Sequence, residues 1–166
     1  MISNPDMLSA AVLDVVGKPL VIKELKVPKL LPGQVLVKIH FSGVCRSQLM
    51  EVRGFRGPDK WTPHLLGHEG SGTIVQVGPR VTKFSVGDDV ILGWIVGEGM
   101  DAPGARYKDG QKTINSGQVT TFSNYTIVSE NRLVKKPKGL PFDQAVLFGC
   151  ALPTGAGLVL NEIKPK

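Results

Sequence analysis

Twenty glycines and twelve prolines are spread through these 166 residues, and they set how long any one element can run. Neither residue suits a helix interior: glycine loses the most backbone entropy on ordering, and proline lacks the N–H and clashes with the preceding turn. The chain is therefore expected to fold through many turns and short strands with few helices. Its apolar runs agree. Ser9 to Val16 is apolar, Leu20 to Val27 is mixed, and after the Pro32-Gly33 turn Gln34 to Phe41 alternates with period two. Thr73 to Val77, the run that leaves the Val86-Gly87-Asp88 turn, Tyr125 to Val128 and Arg132 to Val134 read as further strands. Phe142 to Phe148 reads as a helix, and a second helix runs to about Ile163. Leu92 to Phe122 is polar, glycine-rich and without clear periodicity, which predicts a long loop or excursion. Many short strands with two late helices imply a mainly β fold, a small barrel carrying appended helices.

Charge and cysteine usage exclude several classes. The net charge is +6, but the basic residues are scattered and the densest group is only Lys135-Lys136-Pro137-Lys138. No aromatic residues interleave with them in the manner of a nucleic-acid groove, so a solvated basic face is expected and nucleic acid is not. Two cysteines 105 positions apart make no disulfide framework. Met1 to Asp6 lacks the basic start and apolar run of a secretion signal. Ala145 to Leu160 is uncharged, yet it contains Pro153 and is short for a membrane span. A reducing, cytoplasmic setting without membrane contact is the expectation.

One stretch concentrates chemistry: Pro63-His64-Leu65-Leu66-Gly67-His68-Glu69-Gly70-Ser71-Gly72, an imidazole beside a carboxylate with glycines on both sides. Small neighbours let a ligand or another backbone come close. Cys45, His68 and Cys150 each follow or adjoin a glycine at a predicted element boundary, and Cys45 falls where a short helical turn begins. Two thiolates and one imidazole form a set that zinc favours, and three protein ligands leave the fourth tetrahedral position open for chemistry. Two core cysteines and an unrelated histidine would produce the same residues, so on these residues alone both readings stand. His40, inside the alternating run, reads as a hydrogen-bonded strand residue. Gly97-Glu98-Gly99-Met100-Asp101-Ala102 matches a loose dinucleotide fingerprint, but Pro103 and Gly104 stand where its helix should begin, and no βαβ unit surrounds it. Phe55 and Trp61 can wall a pocket or cover the core.

Val44-Cys45-Arg46-Ser47, Gly67-His68-Glu69-Gly70-Ser71-Gly72, Val77-Gly78, Val86-Gly87-Asp88-Asp89-Val90 and Gly149-Cys150-Ala151-Leu152-Pro153-Thr154-Gly155 occur in this order across nearly the whole chain. Together they resemble the N-terminal catalytic domain of the zinc-containing medium-chain alcohol dehydrogenase family. The resemblance implies a GroES-like, partly open β-barrel with a few short helices over residues 1–150. Residues 151–166 would be the helix leading to a nucleotide-binding domain. Cys45, His68 and Cys150 would hold one catalytic zinc; this Cys2His set is already known for alcohol dehydrogenase, so it is carried over from the family and not independently derived. Glu69 would be a carboxylate close to the metal or an occasional exchange ligand, with a buried salt-bridge partner as its plainer role. Ser47 would relay the substrate proton, unless it only caps a helix. Arg46 would reach the cofactor pyrophosphate, and Thr154 would let the nicotinamide rest against the barrel.

The resemblance further implies a small-molecule alcohol or carbonyl substrate. Zinc would act as Lewis acid for hydride transfer to or from NAD or NADP. That cofactor would be bound by a domain not present in this chain, and the full-length protein would be a homo-oligomer. Two departures stand out. Leu92 to Phe122 holds none of the four cysteines of the family's structural zinc, so no structural zinc is expected. Gln48 stands where many relatives carry aspartate. The competing readings are a zinc-free quinone or enoyl reductase domain of the same superfamily and a non-catalytic GroES-like assembly or binding module.

Overall fold

The computed structural model describes residues 5–165; the N-terminal reading of Met1 to Asn4, and Lys166, lie outside them. Ten strands are present among the described residues: β1 Met7–Leu13, β2 Val21–Lys26, β3 Gln34–Ser42, β4 His64–Leu65, β5 Gly70–Val77, β6 Asp89–Leu92, β7 Arg106–Asp109, β8 Lys112–Asn115, β9 Tyr125–Ser129 and β10 Leu133–Lys135. They form two five-stranded sheets, ordered β2-β1-β4-β8-β7 and β10-β6-β5-β3-β9. Most pairing is antiparallel, and β4 meets β8 in parallel at His64 and Asn115. The first sheet curls until its edges meet, where Lys23 on β2 bridges Asp109 on β7 at 2.9 Å and Asp14 at 3.1 Å. The result is the partly open, mainly β barrel that the turn-rich sequence implied.

Strand β3 shows why period two matters. Val35 and Val37 face one cluster with Ile74, Val90, Leu92 and Leu133, while Leu36 faces the other with Leu8, Val12, Leu25 and Ile127. All three β3 residues are fully buried, because successive side chains leave opposite faces of a strand and both faces are covered here. Truncating such a side chain costs about 2–5 kcal/mol, the transfer of its methyl groups plus the cavity left behind.

The excursion differs from its prediction. Residues 106–115 form a hairpin, β7 and β8, which the sequence reading left as loop. Each strand buries one large side chain, Tyr107 and Ile114, directly opposite each other in register. One inward residue per strand is too little for a periodic signal. The hairpin signal that was present is Asp109-Gly110, whose glycine takes φ +56° at the turn. The rejected dinucleotide fingerprint lies in irregular chain, with no helix after Ala102.

Three helices serve the site. Helix α1 covers Arg46–Val52, α2 covers Phe142–Ala145 and tightens through Gly149, and α3 covers Ala151–Gly157 and continues as a wider helical turn to Ile163. Among the described residues no single helix is long and apolar enough to cross a membrane. Two of the three lysines in the 135–138 group are paired: Lys135 reaches Asp88 at 3.4 Å and Lys136 reaches Asp89 at 3.8 Å.

Candidate functional site

Cys45, His68 and Cys150 arrive by separate routes and meet. Each offers one ligand atom, and these atoms lie within 4.8 Å of one another. Cys45 is the residue before α1 and Cys150 the residue before α3, so both thiols sit at helix N-termini. His68 sits in the bend between β4 and β5, after Gly67 at φ +88°. A side chain at Gly67 would be strained by that backbone and would strike Thr121 Oγ1 and the Phe122 backbone. At Gly149 a side chain would drive into the Leu92 carbonyl and the Glu69 Cβ, 2.8 Å away for the latter. The glycines beside the ligands therefore admit neighbouring strands close enough for the three donors to converge.

Gln48, one turn along α1 from Cys45, is buried with its amide nitrogen 2.6 Å from His68 Nδ1. Among the described residues, His68 Nε2 is buried without a hydrogen-bond partner, and so is Gln48 Oε1. Rotating the amide by 180° presents Oε1 to Nδ1–H and leaves Nε2 its lone pair. A buried imidazole nitrogen with no partner, next to two thiols, is what a zinc ligand set looks like before the ion is added. The residues fit the metal. Burial also holds the His68 imidazole below its ordinary pKa, which keeps it neutral as a ligand must be. Hydrogen bonds from the Ser47 hydroxyl and backbone lower the Cys45 thiol, whereas burial pushes the Cys150 thiol up.

The other residues singled out from sequence are placed as follows. Ser47 is the second residue of α1, not its cap, and its Oγ lies 3.5 Å from His68 Nδ1. Glu69 is buried; Oε2 accepts the Ala151 N–H at 3.2 Å at the start of α3. Among the described residues its partner is thus a helix N-terminus and not a basic side chain. Thr154 is exposed one turn into α3, its Oγ1 3.9 Å from Cys150 Sγ. Arg46 is exposed at the first position of α1 and does not line the site. His40 makes the expected strand contact, Nε2 to Thr73 Oγ1 at 3.0 Å.

Ser47, Gln48, His68 and Cys150 open onto a cavity of about 750 Å³, within the usual range for small-molecule sites of about 300–1,000 Å³. Trp61 walls it, while Phe55 is exposed and does not. Three features escaped the sequence reading. The excursion supplies the far wall, through Arg106, Asn115 and Gln118 among others. Trp94 also lines the cavity. His64 is buried with Nε2 2.8 Å from Asp59 Oδ2 and 3.7 Å from Glu51 Oε1. No spacing rule links those last three residues; only the fold brings them together.

Comparison with known proteins defines the class. Residues 31–138 match the family model described as the alcohol dehydrogenase GroES-like domain. The chain belongs to the zinc-containing medium-chain alcohol dehydrogenase family. It is 33% identical to alcohol dehydrogenase class-3 of Cereibacter sphaeroides, over 93% of this chain and 48% of that protein. It is 36% identical to alcohol dehydrogenase 1 of Emericella nidulans, over 90% of this chain and 44% of that protein. Among solved structures it resembles benzyl alcohol dehydrogenase of Acinetobacter calcoaceticus, with a TM-score of 0.78 at 31% identity, covering 96% of this chain and 49% of that one. An alcohol dehydrogenase zinc-binding domain protein of Burkholderia ambifaria superposes with a TM-score of 0.81 at 26% identity, over 93% and 48%. The chain spans about half the length of the relatives it matches.

Proposed function

We propose that this chain is the zinc-binding catalytic part of an oxidoreductase that interconverts a small-molecule alcohol and its carbonyl compound with NAD or NADP. The barrel up to Cys150 belongs to the catalytic domain, and the helix that follows, Ala151 to Ile163, leads toward a nucleotide-binding domain. The observation that carries the reading is the convergence of Cys45, His68 and Cys150 at the cavity, with His68 Nε2 buried and unpartnered.

These three residues would hold one zinc, which would supply a Lewis acid for the alcohol or carbonyl oxygen. Gln48 orients the His68 ring through Nδ1, as residues behind metal ligands do. Glu69 holds the N-terminus of α3, and with it Cys150, by accepting the Ala151 N–H. Ser47 lines the cavity and relays the substrate's hydroxyl proton, accepting it as it passes its own O–H proton on to water. Arg46, free at the surface, meets the phosphates of the dinucleotide, and Thr154 supports its nicotinamide.

Metal analysis of the purified chain tests the reading. The expected ratio is one zinc per chain, lost in Cys150→Ala. A chain that takes up no zinc from a buffered solution would favour the zinc-free reductase instead.

A further inference from the structure

The cavity has a charge imbalance on its far side. Across the first sheet, Arg106 on β7 stands opposite Asn115 on β8, and Asn115 stands beside His64 on β4. Residues paired in register project from the same face, and all three line the cavity. The carboxylates near this row are already engaged. Asp59 accepts the Trp61 N–H at 2.8 Å and faces His64 at 2.8 Å. Glu51 lies 3.7 Å from His64 and 3.7 Å from Arg56. Arg106 has no carboxylate within salt-bridge distance among the described residues. Among the described residues Arg106 is thus the cavity-lining cation left without a carboxylate, since Arg56 is held by Glu51.

We infer that the substrate carries an anionic group, a carboxylate or a phosphate monoester, and that Arg106 receives it while the reacting hydroxyl lies toward Cys45, His68 and Cys150. A guanidinium presents its donors in a planar fork that suits either anion. The assignment of the reacting end rests on the proposed function; the anion subsite does not.

The protein reports on its own cavity, because both of its tryptophans, Trp61 and Trp94, line it. Zinc-loaded chain is titrated by tryptophan fluorescence with benzyl alcohol, 4-(hydroxymethyl)benzoate and 4-(hydroxymethyl)phenyl phosphate, and zinc-free chain with benzoate. At low salt at least one anionic alcohol should bind about tenfold or more tightly than benzyl alcohol, the scale of one charge-assisted hydrogen-bond pair. The tighter of the two identifies the anion. The advantage should shrink as salt shortens the screening length, which is about 10 Å at 0.1 M and about 3 Å at 1 M. Arg106→Gln should abolish it and leave benzyl alcohol binding unchanged, with an unaltered melting temperature because the side chain is exposed. Equal binding of neutral and anionic alcohols, or an advantage that survives Arg106→Gln, would overturn the inference. If benzoate binds the zinc-free chain through Arg106 but a hydroxyl adds nothing once zinc is present, the anion subsite stands and the dehydrogenase reading falls.

Discussion

Glu130 offers the sharpest test of how the cavity wall is held. It is 1% exposed and makes no ion pair among the described residues; its carboxylate instead accepts three backbone N–H groups. Oε2 takes Thr82 at 3.1 Å and Lys83 at 3.0 Å, and Oε1 takes Met100 at 2.8 Å. Met100 belongs to the excursion whose later residues form the far wall of the cavity. Glu130 shares the anchoring of the excursion with Gln34, whose Nε2 donates to the Pro103 carbonyl at 2.8 Å, and Asn131, whose Nδ2 donates to Asp101 Oδ1 at 3.1 Å. Glu130→Gln keeps the shape but replaces one oxygen with an NH2 that can only donate. Either the Met100 N–H or the Thr82 and Lys83 pair then faces a donor. Hydrogen bonds to a charged group contribute about 1.5–3 kcal/mol each, and a buried unpaired N–H adds its desolvation cost, so the loss should be about 3–5 kcal/mol at pH 7.

The pH dependence gives that figure a second check. Burial opposes ionisation of Glu130, but the N–H groups of Met100, Lys83 and Thr82 outweigh it and hold the carboxyl below its ordinary value of 4.5. A depressed folded value means stability that is present above the unfolded pKa and lost as pH falls through the folded one. The gap between wild type and Glu130→Gln, measured by urea denaturation, should therefore be constant above about pH 5 and close below pH 4.5. A gap under about 1 kcal/mol at pH 7, or one that persists unchanged at pH 3, would refute the three-donor account.

Three further outcomes are expected. Cobalt substituted for zinc should show sulfur-to-metal charge-transfer absorption, weakened in Cys150→Ala and unaffected in His64→Gln, whose side chain belongs to the separate Asp59 and Glu51 cluster. Gln48→Leu should weaken zinc affinity by about 10–100-fold in competition with a chromophoric chelator, the usual effect of removing a group that orients a ligand; Gln48→Asp should bind at least as tightly as wild type. Ser47→Ala, in protein that includes the cofactor-binding half, should lower turnover by about 10²–10⁴-fold with zinc content unchanged. Because Cys45 and not Ser47 precedes α1, its melting temperature should barely move; a large drop in melting with normal turnover would show a structural serine.

What the sequence by itself determined is local. A period-two run located β3, and short apolar or mixed runs between turn residues located β1, β2 and β9, since both signals depend only on neighbouring residues. The Pro32-Gly33 and Gly87 turns and the glycines before His68 and Cys150 marked element ends, because glycine there relieves a constraint set within a few positions. The metal ligands were legible through motif resemblance, not through any spacing that physics alone singles out. Only the tertiary structure decided the rest. Tyr107 and Ile114 needed each other across a hairpin before either strand made sense. Gln48 became the partner of His68 only when α1 packed beside the bend after Gly67. Glu130 belongs to no motif, and its role exists only where three N–H groups from two distant loops close on it. The row of Arg106, Asn115 and His64 joins the β7–β8 hairpin to β4, about fifty residues earlier in the chain. Such contacts depend on the register and curl of a closed sheet, which no local pattern encodes.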